Sequence, residues 1–342
     1  MSGQGFGPGS PKSFRYPTRG GGGGGDFDLE SGVSRKARRP KTPHLEPSVA
    51  MRARHFYEAH PVAVAAALLS LGLAVLVLLS VHEARARAAR AGGAWAREYP
   101  LPGLRNLVMV AGHSVYTSAS CGGTDREESW FLEPYQRHPG QAATFVAHIK
   151  EGVDVAARDE GALLLFSGGE TRKDAGPRSE AQSYWAIAES KGWFGNGESV
   201  RSRALTEEHA RDSFENILFS VCRFRELTGR YPQNITVVSY DFKEERFAQL
   251  HRTALGFPEG RFFFSGTPAT PAAREAALKG EAAVRAQFLE DPYGCLGSLH
   301  MKRLKRDPFH RTIPYPDGCP ELKSLFSYCG PAPFTGHLPW TE

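Results

Sequence analysis

Leu163-Leu164-Leu165-Phe166-Ser167-Gly168-Gly169-Glu170 is an apolar run that stops abruptly at two glycines, and the pattern of a helix start, Ser179-Glu180-Ala181-Gln182, follows shortly after it. The pair reads as a buried strand that opens through a turn into a helix. Ser179 with Gln182 three positions on has the spacing of a capping box. In open α/β sheets small molecules bind outside the carboxyl ends of the strands, where glycines let backbone approach a ligand and helix N-termini offer unpaired N–H groups. Chemistry is therefore expected at this turn.

Apolar runs of the same kind recur at Leu107 to Ala111, Ile235 to Ser239 and Phe262 to Phe264. They are nearly continuous rather than alternating, as strands covered on both faces require. Helical patterns fall near Gly140 to Gly152, Ser179 to Lys191, Thr206 to Leu227, Lys243 to Leu255 and Pro271 to Leu289. The third is the clearest, with Ala210, Phe214, Ile217, Leu218, Val221 and Phe224 on one stripe. Strand-helix alternation of this kind predicts an α/β domain with a doubly wound, mostly parallel sheet.

The chain has 342 residues and 41% hydrophobic composition, enough for one sizeable core with appendages. Its formal charge of +5 resides in residues 1–60, which hold ten Lys/Arg against five Asp/Glu; the remainder is neutral. A neutral globular part argues against nucleic acid as a partner. The basic run Lys302, Arg303, Lys305, Arg306 reads as a solvated face.

Residues 1–55 read as a disordered, basic, Gly/Pro-rich tail that includes the run Gly20 to Gly25 and could touch an anionic membrane surface. Pro61 to Val81 carries no charge. At 1.5 Å per residue it reaches about 31 Å, the thickness of a hydrocarbon core, so a single transmembrane helix is expected. Residues 82–102 then form a juxtamembrane linker, 103–290 the sheet domain, and 291–342 a Pro-, Gly- and aromatic-rich extension that wraps the core. Arg52 and Arg54 precede the span and Arg85, Arg87 and Arg90 follow it, so the positive-inside rule leaves its orientation undetermined. The expected location is an endomembrane, ER or Golgi, and the sequon Asn234-Ile235-Thr236 falls where a strand begins.

Cys121, Cys222, Cys295, Cys319 and Cys329 show no metal-ligand spacing, so no metal is expected. Cys222, inside a helical pattern, reads as a packed thiol, while Cys295, Cys319 and Cys329 could carry a disulfide in an oxidising compartment.

The strand-like runs end in Gly112-His113-Ser114, Ser167-Gly168-Gly169-Glu170 and Ser239-Tyr240-Asp241. In a parallel sheet these tips share one edge, giving a crevice lined by hydroxyls, a histidine and backbone N–H groups and joined by Glu180. His113 and Glu180 are the candidate catalytic groups. Ser167 lacks a Gly-x-Ser-x-Gly elbow, Glu180 also suits the helix dipole, and Asn216 and Ser213 lie on or near a buried helical stripe. Asp125, Glu127, Glu128 and Trp130 form an acidic-aromatic loop that could cover the crevice or hold a cation. Neither a Gly-x-x-x-x-Gly-Lys loop nor a Gly-x-Gly-x-x-Gly fingerprint occurs, which disfavours ATPases and ordinary NAD enzymes.

Gly112, Ser167-Gly168-Gly169, Ser179-Glu180-Ala181, Ser213-Phe214-Glu215-Asn216, and Val237-Val238-Ser239 followed by Arg246-Phe247 together resemble the domain-of-unknown-function family 218, the YdcF/SanA-like group. The resemblance covers about Leu104 to Thr267. Asp125 to Gln136, Asp241-Phe242-Lys243 and Asp291 to Cys295 look like its eukaryotic, fungal-type, membrane-anchored branch. It implies a Rossmann-like fold with a polar crevice formed by Gly112, Ser167, Gly168, Gly169, Glu180, Asn216 and Ser239, and no established activity. The chain departs from the family at Ser213, commonly Thr, and at Tyr240-Asp241-Phe242, where bacterial members carry a small residue and a His, so an acid–base group is lost or displaced there. The leading expectation is a single-pass membrane protein whose crevice binds a small anionic or nucleotide-like molecule, with S-adenosylmethionine and sugar phosphates as further cofactor candidates. The alternative is a non-catalytic membrane scaffold or trafficking protein with a vestigial crevice.

Overall fold

A computed structural model describes residues 49–95 and 99–341. Two units separate at residues 87 and 88. The first contains helices α1 (Val49–Ala59) and the start of α2 (Pro61–Trp95). Residues 49–55, assigned above to the disordered tail, are helical, and residues 1–48 lie outside the described residues. Helix also continues through most of the expected linker, because the Ala/Arg-rich stretch after the apolar run has high helix propensity. Pro61–Glu83 is long and apolar enough to cross a membrane, and its leucines, among them Leu69 and Leu78, are exposed.

The second unit is built on seven strands: β1 (Asn106–Ala111), β2 (Val115–Tyr116), β3 (Trp130–Phe131), β4 (Ala162–Ser167), β5 (Ala204–Glu207), β6 (Asn234–Tyr240) and β7 (Phe262–Thr267). Five of them form one parallel sheet in the order β5-β4-β1-β6-β7, and β2 and β3 make a short antiparallel pair. This is the doubly wound, Rossmann-like arrangement, with the topological switch between β1 and β6. Strand β5 was missed in the sequence and absorbed into the start of the third helix. At four residues, with Thr206 and Glu207 among them, it carries too little apolar signal.

Alternation along β1 divides the core. Leu107, Met109 and Ala111 face one layer and Val108 and Val110 the other. The second layer is covered by α3 (Gln141–Ala157) through Phe145, Ile149 and Val153, by α4 (Glu180–Ser190) through Tyr184 and Ile187, and by α5 (Gly197–Arg201) through Val200. The first is covered by α6 (Ser213–Thr228) through Phe214, Ile217, Val221 and Phe224. Phe247 and Ala254 add to it, from the π-helical turn Glu245–His251 and the short α7 (Arg252–Ala254) that follows. Next come α8 (Pro271–Glu290), α9 (Gly297–Lys305) and α10 (Lys323–Phe326). The last residues pack on the α6 layer through Tyr315, Leu322, Leu325, Leu338 and Trp340.

Disulfides fasten this C-terminal segment. Cys222 of α6 is bonded to Cys319, 97 residues away, and Cys295 to Cys329. Cys222 is thus no packed thiol: the fully buried position expected for one is where the returning segment meets α6. Cys121 is free.

Candidate functional site

The ends of β1 and β6 open into a cleft of about 800 Å³ at the switch point. Gly112, His113, Glu180 and Asn216 line it. Ser167, Gly168, Gly169 and Ser239 stand behind these residues and do not. Ser167 is fully buried and donates its hydroxyl to Glu207 Oε2 at 2.7 Å, which ties the tips of β4 and β5. Ser239, also buried, lies with its Oγ 3.2 Å from Nε2 of His113.

The glycine turn serves packing. Gly168 has a φ of 154°, and a Cβ there would lie 2.8 Å from Oε2 of Glu180. Its N–H bonds to Glu207 O and that of Gly169 to Ala210 O. The first amides of α4 are also taken: Glu180 N donates to Gly169 O, Ala181 N to Gly168 O, and Gln182 N to the Ser179 hydroxyl. Only half of the expected capping box forms, because the Gln182 side chain donates instead to Glu208. At α6, Asp212 accepts from the amides of Phe214 and Glu215. Most of the N–H groups expected to be free at the two helix starts are thus engaged, which leaves recognition of an anion here largely to side chains.

Those side chains come from stretches that the sequence does not mark as part of the crevice. Lys243, Arg246, Lys302, Lys305 and Arg306 line the cleft. The run at Lys302 is only in part a solvated face: α9 lays Lys302, Arg306 and the still exposed Lys305 on the cleft wall, while Arg303 turns away to Asp212 at 2.5 Å and Glu215 at 3.3 Å. Arg246 is held by Glu281 in a bidentate pair of 2.6 and 2.7 Å, and Arg172 by Glu133 at 2.9 Å. Lys243, Lys302, Lys305 and Arg306 have no carboxylate within 4 Å among the described residues. Burial, with Arg306 and Arg246 nearby, pulls Lys302 down to about 8, and burial with Arg246 pulls Lys243 down to about 7. An incoming anion would relieve this crowding of like charges.

His113 is buried, and desolvation with Lys243, His148 and Arg246 around it holds its pKa well below the ordinary value, so the ring is neutral. Its Nδ1 lies 3.4 Å from Nζ of Lys243. An acid–base group is thus present beside the Tyr240-Asp241-Phe242 departure, on the 3₁₀ turn Asp241–Lys243 that follows β6. Glu180, with Oε1 accepting from the Thr171 hydroxyl at 3.1 Å and 3.8 Å from Arg172, is positioned as a pocket wall. Ser213 shares its hydroxyl between His251 Nε2, at 2.8 Å, and Arg246. In the acidic-aromatic loop, Trp130 is buried in the core and Glu127 accepts from the amide of Gly140 at 2.7 Å. Helix α8 also lines the cleft, through Ala273, Ala277, Gly280 and Val284.

A yeast protein, the uncharacterised YOR238W of Saccharomyces cerevisiae, is 27% identical to this chain over an alignment of 259 positions, covering 61% of this chain and 86% of the yeast protein. No family profile matches the chain. No solved structure matches it.

Proposed function

We propose that this is a single-pass membrane protein of the YdcF/SanA-like type whose Rossmann-like domain binds a small anionic, phosphate-bearing ligand in the cleft at the switch point. The observation that carries the reading is the set of three cations on α9 and its end, Lys302, Lys305 and Arg306, gathered on one cleft without carboxylate partners among the described residues. Lys302 and Arg306 are partly buried like charges close to one another, beside the exposed Lys305, and a bound anion is the group that offsets their repulsion. A nucleotide or sugar phosphate suits this wall better than S-adenosylmethionine, whose sulfonium would meet these cations.

The disulfides Cys222–Cys319 and Cys295–Cys329 favour an oxidising compartment for the domain, hence a luminal endomembrane orientation with residues 1–60 in the cytosol. Asn234 is half-buried in β6 and donates to Asn106 Oδ1 at 3.1 Å, so its sequon stays unglycosylated in this reading.

The test is a thermal-shift titration of the full chain in detergent with inorganic phosphate and nucleoside monophosphates at low and high salt. Stabilisation of the wild type, weakened at least tenfold in apparent affinity by Lys302→Ala with Arg306→Ala, is expected. A shift that is absent, or equal in the double variant, would leave the membrane scaffold with a vestigial crevice as the better account.

A further inference from the structure

At the floor of the cleft, beyond the residues that would hold an anion, Lys243 is placed for a different task. The Arg246 guanidinium one turn further on is engaged by Glu281, whereas the Lys243 amine has no acidic partner within 4 Å and lies 3.4 Å from Nδ1 of the neutral imidazole of His113 and 5.9 Å from the centre of the Phe242 ring. The amine also lies 5.2 Å from the centre of the Tyr240 ring. The imidazole is held from behind, its Nε2 3.2 Å from Ser239 Oγ and its ring 5.1 Å from that of His148 on α3. Lys243 and His113 belong to the two strand ends that flank the switch point, and both border the cleft.

We propose that Lys243 is the proton acceptor of the cleft: its amine takes the proton of a hydroxyl or water seated against the bound anion, and His113, held by Ser239, positions it. In this step the O–H bond breaks, its electron pair stays on the oxygen, an N–H bond forms, and the resulting ammonium is the acid that returns the proton. No co-reactant is needed for the transfer. The inference rests on the anion-binding reading and assigns the reacting end of that same site.

The charged surroundings permit it. Burial is the largest influence on Lys243 and disfavours the ammonium; Arg246 on the following helical turn and Arg306 at the end of α9 act in the same sense, while Glu281 on α8 and Glu180 on α4 oppose them. His113 and His148 both stay neutral, and burial holds the Tyr240 phenol above its ordinary value, so neither they nor Tyr240 carries charge toward the amine at neutral pH.

The experiment is acetic anhydride labelling of the full chain from pH 6 to 10, with each lysine followed by mass spectrometry in the presence and absence of inorganic phosphate. Lys243 is expected to acetylate with a midpoint near pH 7, at least tenfold faster at that pH than the exposed Lys191 and Lys323. Phosphate should raise that midpoint, and His113→Gln should move it while leaving Lys302 unchanged. Labelling of Lys243 in step with Lys191, or a midpoint indifferent to His113→Gln, overturns the assignment even if phosphate still binds. A midpoint near 7 that ignores phosphate would instead count against the anion-binding reading alone.

Discussion

A side chain on Gly112 would place its Cβ 2.6 Å from the Cβ of Glu180, so the tip of β1 and the first turn of α4 meet at a position with no room for a methyl group. The same Cβ would stand 3.0 Å from the carbonyl of Ser167 on β4. Three elements that build the cleft therefore converge on one glycine, and the Glu180 carboxylate reaches the cleft because nothing occupies that space.

Gly112→Ala is accordingly expected to displace α4 from the sheet edge and to destabilise the domain by about 1–3 kcal/mol, as overpacking of a tight contact does. Chemical denaturation with an intrinsic tryptophan signal measures it. A variant within about 0.5 kcal/mol of the wild type, the range of ordinary surface changes, would mean that the contact relaxes freely.

Glu207 makes stability fall at alkaline pH. Burial is the largest influence on it and raises its pKa to about 8, against the pull of Ser167 and the His209 amide. The native state thus retains a proton that the unfolded chain releases near pH 4, so the contribution of Glu207 is full below about pH 4 and is lost as pH rises through 8. Glu207→Gln keeps an oxygen for the His209 amide, and Ser167 can turn its hydroxyl to Asn216 O, 3.4 Å away, and accept from the new amide. The variant should gain on the order of a few kcal/mol over the wild type at pH 9, with little difference at pH 5. Parallel denaturation curves at both pH values would contradict this.

The disulfides close loops of 97 and 34 residues. Chain-entropy arguments assign roughly 4 kcal/mol to each, so reduction should lower the melting temperature substantially and free the C-terminal segment from α6. Thiol counting on the denatured, unreduced protein should find Cys121 alone reactive. Five reactive thiols in protein recovered from its native membrane would remove the argument for a luminal domain.

Strand-helix alternation and the apolar helix Pro61 to Val81 were determined by the sequence itself, because buried parallel strands and a helix apolar enough to cross a membrane each need an unbroken apolar run that requires no partner to be seen. The convergence of Gly112 with Glu180 was foreshadowed by the glycine turns and the helix start. Strand β5 was not, since its four residues become a strand only by pairing with β4. The cationic wall of the cleft was also hidden. Lys302 and Arg306 lie more than 180 positions from Gly112, in a run whose composition resembles solvent-exposed helix; only the folding-back of α9 onto the sheet edge, with Arg303 drawn off by Asp212, brings them to the cleft. Likewise Cys222 reads as a thiol until the returning C-terminal segment brings Cys319 to it. Local pattern decided the elements, through burial and periodicity; the identity of the site's charged groups depended on contacts between distant segments, for which pattern carries no signal.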